Sequence, residues 1–543
     1  MQSPRSSNLL SKTIGIPVFV TAVLFFFICI AFIPIIGIQN DEALFATSQY
    51  GPIPAEFRLR AFKHDVPLMV MTYLGSLKTW VFAPIFTVVK PSIWSIRVPP
   101  ALIGSVTVVL FSILLTKAGK LRGVGLVGAI LLATDPSFLL TTVYDWGPVA
   151  FQHLFLVGGV LLLWQFAHTD RVKFLSLGFA CLGLGLWDKA ILSWSLFGLG
   201  LATLLVFPRQ LWQLLTLRTA AIAIVSFLVG ASPLVLYNIR TNLKTFRSNT
   251  QLSLQEIPPK WFHAHSTLDG SGLFGYLVRD EWEEKSITPP DGSIAAVSYN
   301  LRQRTGEKRQ TWGYYAFLVA AAAIPLWWIR MRAMLFALIY LAGAWLLMAA
   351  THDAGGSTHH AVLLWPFPQF VIAIALGCLT ERYGKAGMAV AGLVTGLLAT
   401  QNLLVLNQYY TQATRVCGGT VWTDAVEPLH LAVVHRKPKA VNIMGWGTEF
   451  TLITLERGTL PLRDVTGHVA SDNPSPDDQA ALQAIVSEDG GLFIGHTPEL
   501  ELAQGVGRRF EAAAGRYGYR KQMLETIYDR CGRATFEVYR FVK

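Results

Sequence analysis

Two adjacent carboxylates, Asp41 and Glu42, stand in Asn40-Asp-Glu-Ala-Leu-Phe-Ala46, directly after a long apolar run. Like charges set side by side at a membrane edge are costly unless they are solvated or partnered. The plainer reading is an acidic first turn that complements the dipole of the helix that follows. The chemical reading is a proton acceptor, since a positioned carboxylate can act as a general base. A third acid, Asp145, lies in Thr141-Thr-Val-Tyr-Asp-Trp-Gly-Pro148, a connection of about seven residues between two apolar runs. It serves equally as a cap for the helix beginning near Pro148. Asp135, just before Pro136, reads only as a cap at a helix interruption.

The basic and imidazole groups near these acids are few. Lys63 and His64 stand in Arg60-Ala-Phe-Lys-His-Asp-Val-Pro-Leu68, Lys189 in Trp187-Asp-Lys-Ala190, and Arg240 ends a further apolar run. Such cations can hold a departing phosphate. Lys189 interrupts an otherwise apolar region, where an ionisable side chain is a functional candidate; snorkelling or a pair with Asp188 is the alternative. His359 and His360 sit in Gly355-Gly-Ser-Thr-His-His-Ala-Val-Leu-Leu-Trp-Pro366. Neither this pair nor His263 and His265 has the helical spacing of a zinc site, so no metal ligands are assigned and the cofactor is left open, a divalent metal included. The sequence has no phosphate-binding glycine loop and no Cys-x-x-Cys motif.

The elements that position these groups are membrane helices. Of 543 residues, 52% are hydrophobic and only 15% charged, and mean hydropathy is +0.43. A soluble domain carries about a quarter charged residues. Eleven stretches approach or reach the ~17–25 residues needed to cross a bilayer as helix: 14–36, 98–116, 123–140, 148–167, 174–187, 190–207, 219–237, 313–329, 333–350, 361–380 and 386–406. The first has no small-residue cleavage pattern and reads as a retained anchor. The net charge of +11 is spread in short clusters between these stretches, which argues against nucleic acid as a partner.

Orientation follows from those clusters. Lys117, Lys120 and Arg122; Arg171 and Lys173; Arg209 and Arg218; Arg330 and Arg332; and Arg382 and Lys385 fall in alternate connections, and 141–147 and 351–360 hold no Lys or Arg. The positive-inside rule puts the five basic connections and the N-terminus in the cytoplasm. The acids, Lys189 and the His pair then lie outside. The apolar stretch 66–89, with Lys78, Pro67 and Pro84, is read as helices on the outer interface, because a span there would invert every later connection.

The expected architecture is therefore an α-helical polytopic domain, 1–406, with a long external loop, 37–97, and an external insert, 238–312. An extracytoplasmic α/β domain, 407–543, follows, with strands near 440–446 and 491–495, helices near 476–487 and 498–515, and a closing hairpin, 521–528 with 534–541. Cys29, Cys181 and Cys378 fall in spans; Cys417 and Cys531 are the two outside. An oxidising compartment permits their pairing. Whether they pair depends on a Cα separation within ~7 Å, which sequence does not set.

The acids of the first two external loops, Arg97-Val-Pro-Pro-Ala101 and the Lys after the fifth span resemble the GT-C glycosyltransferase superfamily over about residues 14–240. Within it the chain is most similar to family-39 protein O-mannosyltransferases and lipid A aminoarabinose transferases. The resemblance implies a GT-C fold and transfer of a sugar, with inversion, from a polyprenyl- or dolichyl-phosphate carrier to a lipid, glycan or protein acceptor in the cell envelope. It implies that Asp41 is the catalytic carboxylate, Asp145 its second external acid and Lys189 a donor contact. Glu42, Lys63, His64, Arg240, His359 and His360 complete the candidate substrate-binding set. The expected location is a bacterial inner membrane. Two departures stand out: His64-Asp-Val-Pro-Leu68 replaces a Glu-Lys-Pro-Pro-Leu pattern, so position 65 lacks its cation, and Val143-Tyr144 stands where an Arg often precedes the second Asp. A transporter or flippase of a lipid-linked or small polar substrate, and a catalytically inactive relative, are the alternatives. A transporter would bury its ionisable groups near the midplane of repeated halves, and this chain shows no repeat.

Overall fold

The computed structural model describes residues 15–51, 53, 55–61, 64–280, 289–469 and 474–543. Among them, five helical runs are each long and apolar enough to cross a membrane: Ile16–Ile35, Ile93–Gly119, Val149–Thr169, Ile324–Ala350 and Phe367–Val416. Three sharply bent pairs raise the number to eight if each is one span: Val124–Thr134 with Pro136–Tyr144, Leu192–Val206 with Pro208–Leu214, and Leu217–Gly230 with Ser232–Arg240.

Each of the eleven expected stretches is largely helical, but length and composition alone give five to eight spans. The helix Val172–Asp188 has 17 residues and Gly313–Ala322 has 10. The 50-residue run Phe367–Val416 is two helices. A straight helix of that length would extend ~75 Å, more than twice a ~30 Å hydrocarbon core. It breaks at Gly384, whose φ is 56° and ψ −126°. Just beyond the break a Cβ on Gly387 would lie 2.1 Å from the Leu379 carbonyl oxygen, so the second half passes close against the first.

Basic connections meet at one end of the bundle. Arg330 donates to the carbonyls of Gly119 and Lys120, and Arg382 to that of Pro325. Asp145 and Lys189 occupy the other ends of helices whose far termini carry Arg171 and Lys173.

The stretch 66–89 differs from its helical expectation at its start. Strands β1 (Phe57–Ala61) and β2 (His64–Met69) pair antiparallel, and only then does a helix, Leu77–Val88, begin. Pro67 is tolerated because this two-stranded ribbon has only edge strands.

The C-terminal region builds a mixed sheet from β3 (Ala440–Met444), β4 (Leu462–Asp464), β5 (Gly491–His496), β6 (Arg520–Tyr528) and β7 (Ala534–Val542), in the order β4-β3-β5-β7-β6. β3 pairs parallel with β4 and β5; β7 is antiparallel to β5 and β6. Alternation buries one face over Leu429, Leu452 and Val538 and the other over Phe493, Phe510 and Phe541. The expected strands and hairpin appear within a residue or two; β4 and the helices Val426–Arg436 and Glu449–Leu455 are additions. The helix ending at Val416 runs past the expected boundary at 406. Cys417 and Cys531 form a disulfide, with Cα atoms 6.1 Å apart, tying that helix end to the β6–β7 turn.

Candidate functional site

The short helix Asn40–Thr47 presents Asp41 and Glu42 because Gln39 caps it. The Gln39 side-chain oxygen accepts from the Asp41 and Glu42 amides at 2.6 and 3.1 Å, and the Glu42 carboxylate accepts from the Gln39 amide at 3.3 Å. The C-terminal domain backs this helix. The Phe450 amide donates to the Asn40 side chain at 3.0 Å, the Thr47 and Thr454 hydroxyls lie 2.6 Å apart, and Leu455 packs with Ala43 and Ala46.

The two acids then part company. Glu42 is fully buried and bonded at both oxygens by Arg97, Nε at 2.7 Å and a terminal nitrogen at 2.8 Å. Arg97 also donates to the carbonyls of Ile33, Ile36 and Gly37, which locks the end of the first helix. Glu42 and the Arg-Val-Pro-Pro motif thus form a buried clasp. Asp41 is half-buried and has no ion-pair partner among the described residues. Burial raises its pKa to about 6, against the opposing pull of the Gln39 side chain and the Lys189 charge. Its charge also acts on Tyr73 and Tyr276, which approach from two different loops.

Asp145 ends one helix with φ 40° and begins the next: its Oδ1 accepts from the Val149 and Ala150 amides at 2.7 and 3.0 Å. Its Oδ2 lies 2.8 Å from Lys78 Nζ, which also donates to the Asp145 carbonyl at 2.8 Å. Both side chains are about 1% exposed. Lys189 is equally buried and donates to the Gly147 carbonyl at 2.9 Å. The charges of Asp188, Asp145 and Asp41 all act on it. Gly147 has to be glycine, because a Cβ there would lie 2.7 Å from the His359 ring and 3.2 Å from Lys189 Nζ. His359 is within 3.0 Å of the Ser357 hydroxyl, and its ring centre is 5.4 Å from that of Trp146. His360 accepts from the Gly355 amide at 3.2 Å and faces Trp194.

Asp41, Asp145, Lys189 and His359 therefore converge at one end of the bundle. Arg240 is exposed at the end of its helix, with no connection to this group among the described contacts. Lys63 lies outside the described residues, and of His64 only the backbone, at the start of β2, is described. Asp135 is the cap it was expected to be, accepting from the Phe138 amide and the Gln369 side chain, each at 2.8 Å.

Sequence reasoning missed Lys78, Tyr73 and Tyr276. Lys78 is the single charge in 66–89 and served only as evidence against a span there. A buried lysine needs a carboxylate, and that was the available signal. The tyrosines gave none. A cluster with metal-ligand spacing among the described residues is Glu256, His352 and Asp353. Lys260 Nζ already sits 2.9 Å from Glu256, and none of His263, His265, His359 or His360 belongs to the cluster.

The fold is shared with solved structures at 15% identity or below. The chain is similar to the crystal structure of ArnT from Cupriavidus metallidurans bound to undecaprenyl phosphate, with a TM-score of 0.55 and 15% identity over 96% of this chain and 97% of that one. It is similar to the apo form of that protein at a TM-score of 0.54 and 14% identity, with the same coverage of both chains. The resemblance expected from the sequence is thus met at the level of the fold. No protein-family profile matches the sequence, and no curated protein does.

Proposed function

We propose that this protein is a membrane glycosyltransferase that moves a sugar from a polyprenyl-phosphate carrier to an acceptor hydroxyl or amine outside the cytoplasm. The observation that carries the reading is the pairing of roles at the bundle end. Asp41 is an acid with no counter-cation bonded to it among the described residues. Beside it, Lys189 is a buried amine whose one hydrogen bond among the described residues goes to the Gly147 carbonyl. The ArnT structure with undecaprenyl phosphate, on a shared fold, supports a lipid phosphate as the donor's leaving group.

In this scheme Asp41 takes the acceptor proton as the acceptor atom attacks the anomeric carbon. The new bond forms as the carbon–oxygen bond to phosphate breaks, and that electron pair stays on the lipid phosphate. A single displacement inverts the anomeric centre. Among the described contacts Lys189, when protonated, has two N–H groups left after Gly147, and these hold the phosphate oxygens as their charge grows. Lys78 pairs with Asp145 and holds it in place, and Asp145 fixes the loop that carries Gly147. Tyr73 and Tyr276 flank the acceptor entrance to Asp41.

The test is transfer of radiolabelled sugar from synthetic polyprenyl-phosphate donors in membranes containing the full chain, against envelope lipid, glycan and protein fractions. Label moving into an acceptor fraction supports the reading. Label crossing the bilayer while still attached to its carrier is the signature of a transporter.

A further inference from the structure

The insert 238–312 turns back onto the bundle at the end that carries the site. The Ser253 amide donates to the Ala350 carbonyl at 2.9 Å, Leu252 bridges Thr351, and Lys260 Nζ donates to the Ala349 carbonyl at 3.1 Å. Ala350 closes the apolar helix Met331–Ala350, which starts beside Arg330 and Arg332. The helix Ile257–Leu268 lies against the flank of this span, where the Trp261 ring meets Trp345 edge-on with centres 5.3 Å apart. Trp345 precedes Ala350 by five residues, or ~7.5 Å of helix. Trp261 therefore reaches below the end of the span.

Large apolar side chains face outward all along this segment. Leu243, Phe246, Leu252, Leu254, Trp261 and Phe262 are each more than half exposed, Leu252 and Leu254 at 72% and 73%. Single exposed apolar residues are ordinary, but a run of them marks an interaction surface. This run continues the lipid-facing surface of a span at the depth where tryptophan and apolar helix faces meet the bilayer boundary.

The charges agree with that partner. The one acid in 239–262, Glu256, lies 2.9 Å from Lys260 Nζ, and Lys244 Nζ lies 2.7 Å from Glu56. The neighbouring Asp353 is 3.5 Å from His352 Nε2. Arg240 and Arg247 are exposed and make no ion pair among the described residues. Two guanidiniums beside an apolar strip complement headgroup phosphates.

The inner side of the segment holds the site. The Thr245 hydroxyl donates to the Thr72 carbonyl at 2.7 Å, and the Asn249 side-chain amide to the Thr72 hydroxyl at 3.1 Å. The carbonyl of the next residue, Tyr73, accepts from the Ala190 amide at 2.8 Å, and Leu74 bridges Lys189.

We propose that residues 240–262 form a lipid-docking shelf, seated in the phospholipid leaflet on the site side of the bundle, with Arg240 and Arg247 on headgroup phosphates. Seated there, the shelf braces Thr72, Tyr73 and Leu74 against Lys189. It goes beyond the transferase reading and does not rest on it.

The experiment is power-saturation EPR on the full chain in proteoliposomes. Single nitroxides are placed at Leu252→Cys, Leu254→Cys and Phe262→Cys in a background of Cys29→Ala, Cys181→Ala and Cys378→Ala. Val229→Cys, exposed on a bent span, and Leu502→Cys, exposed on the C-terminal domain, are the lipid and water references. Oxygen should relax the three shelf labels several-fold more than a nickel chelate does, as at 229 and in reverse of 502. Phosphatidylglycerol in place of phosphatidylcholine should move the shelf labels deeper, and Arg240→Gln with Arg247→Gln should remove that shift. Labels as open to nickel as the one at 502 overturn the proposal. So do labels shielded from both probes, as beneath a second copy or another protein. A lipid-dependent shift that is absent, or that survives the arginine changes, overturns it as well.

Discussion

Lys78 Nζ and Asp145 Oδ2 lie 2.8 Å apart in a site almost wholly closed to solvent, joining the first long loop to the second. Removing one partner of a buried ion pair leaves the other charge stranded, at a cost of about 3–5 kcal/mol. Lys78→Met should therefore lower the melting temperature and displace Gly147, with transfer lost. The double change Lys78→Met with Asp145→Leu should recover much of the stability and none of the transfer. A double variant no more stable than Lys78→Met would show that the pair is not the coupled unit described here.

The Glu42–Arg97 clasp makes the opposite forecast about two neighbours in sequence. Glu42→Gln should reduce the amount of folded protein in membranes, because Arg97 is then buried without its counter-charge. Activity per folded molecule should fall far less than in Asp41→Asn. If Glu42→Gln folds normally and is inactive, Glu42 has a role in the chemistry that its present contacts do not describe.

Much of the architecture was legible because its signals are local. Apolar length and alternating basic connections located the helices, and period-two alternation located β3, β5 and the closing hairpin. The ambiguous pieces were those where tertiary contact overrides local pattern. Residues 66–69, the start of the stretch 66–89 read as interface helices, instead belong to a strand that pairs with 57–61 in a ribbon. The stretches 123–140 and 219–237 read as single spans but bend by 60° and 75°. At the site, Asp41, Asp145 and Lys189 could be named from type and position. That Asp41 and Glu42, one residue apart, have different partners could not, since it depends on Arg97 arriving 55 residues later.

The Cys417–Cys531 disulfide closes a separation of 114 residues beside Trp422, whose ring packs on Trp146 at 5.2 Å and so reaches the site loop. In the chain-entropy account a loop of that size contributes about 4–5 kcal/mol. Cys417→Ser with Cys531→Ser should lower the melting temperature of the C-terminal domain, and mass spectrometry should find no free thiol at either position in the unmodified protein. Two free thiols in material purified under non-reducing conditions would contradict the pairing.

Lys189 should matter to the donor more than to the acceptor. Lys189→Met removes the cation proposed to hold the phosphate and should raise the donor KM and lower kcat while the acceptor KM stays close to its starting value. Equal effects on both substrates would assign Lys189 to folding of the Gly147 loop instead.

The proton-transfer role of Asp41 has a pH signature with a definite direction. A general base works only when ionised, and burial raises the Asp41 pKa from its ordinary 3.8 to about 6. Transfer should therefore rise about tenfold per pH unit below 6. It should fall again above about 7, where Lys189, whose pKa burial lowers to about 7, loses the charge that holds the phosphate. The positive charge of Lys189 acts on Asp41 in the lowering direction. Its loss in Lys189→Met should move the rising limb toward higher pH, whatever the residual rate. Asp41→Asn, which keeps the shape and removes the proton acceptor, should cost ~10²–10⁴-fold in rate with the melting temperature nearly unchanged. Rates of transfer measured from pH 4.5 to 8.5 in proteoliposomes check all three. A limb that stays in place when Lys189 is neutralised, or near-normal transfer by Asp41→Asn, would move the base to another group, with Asp145 the first to be tested.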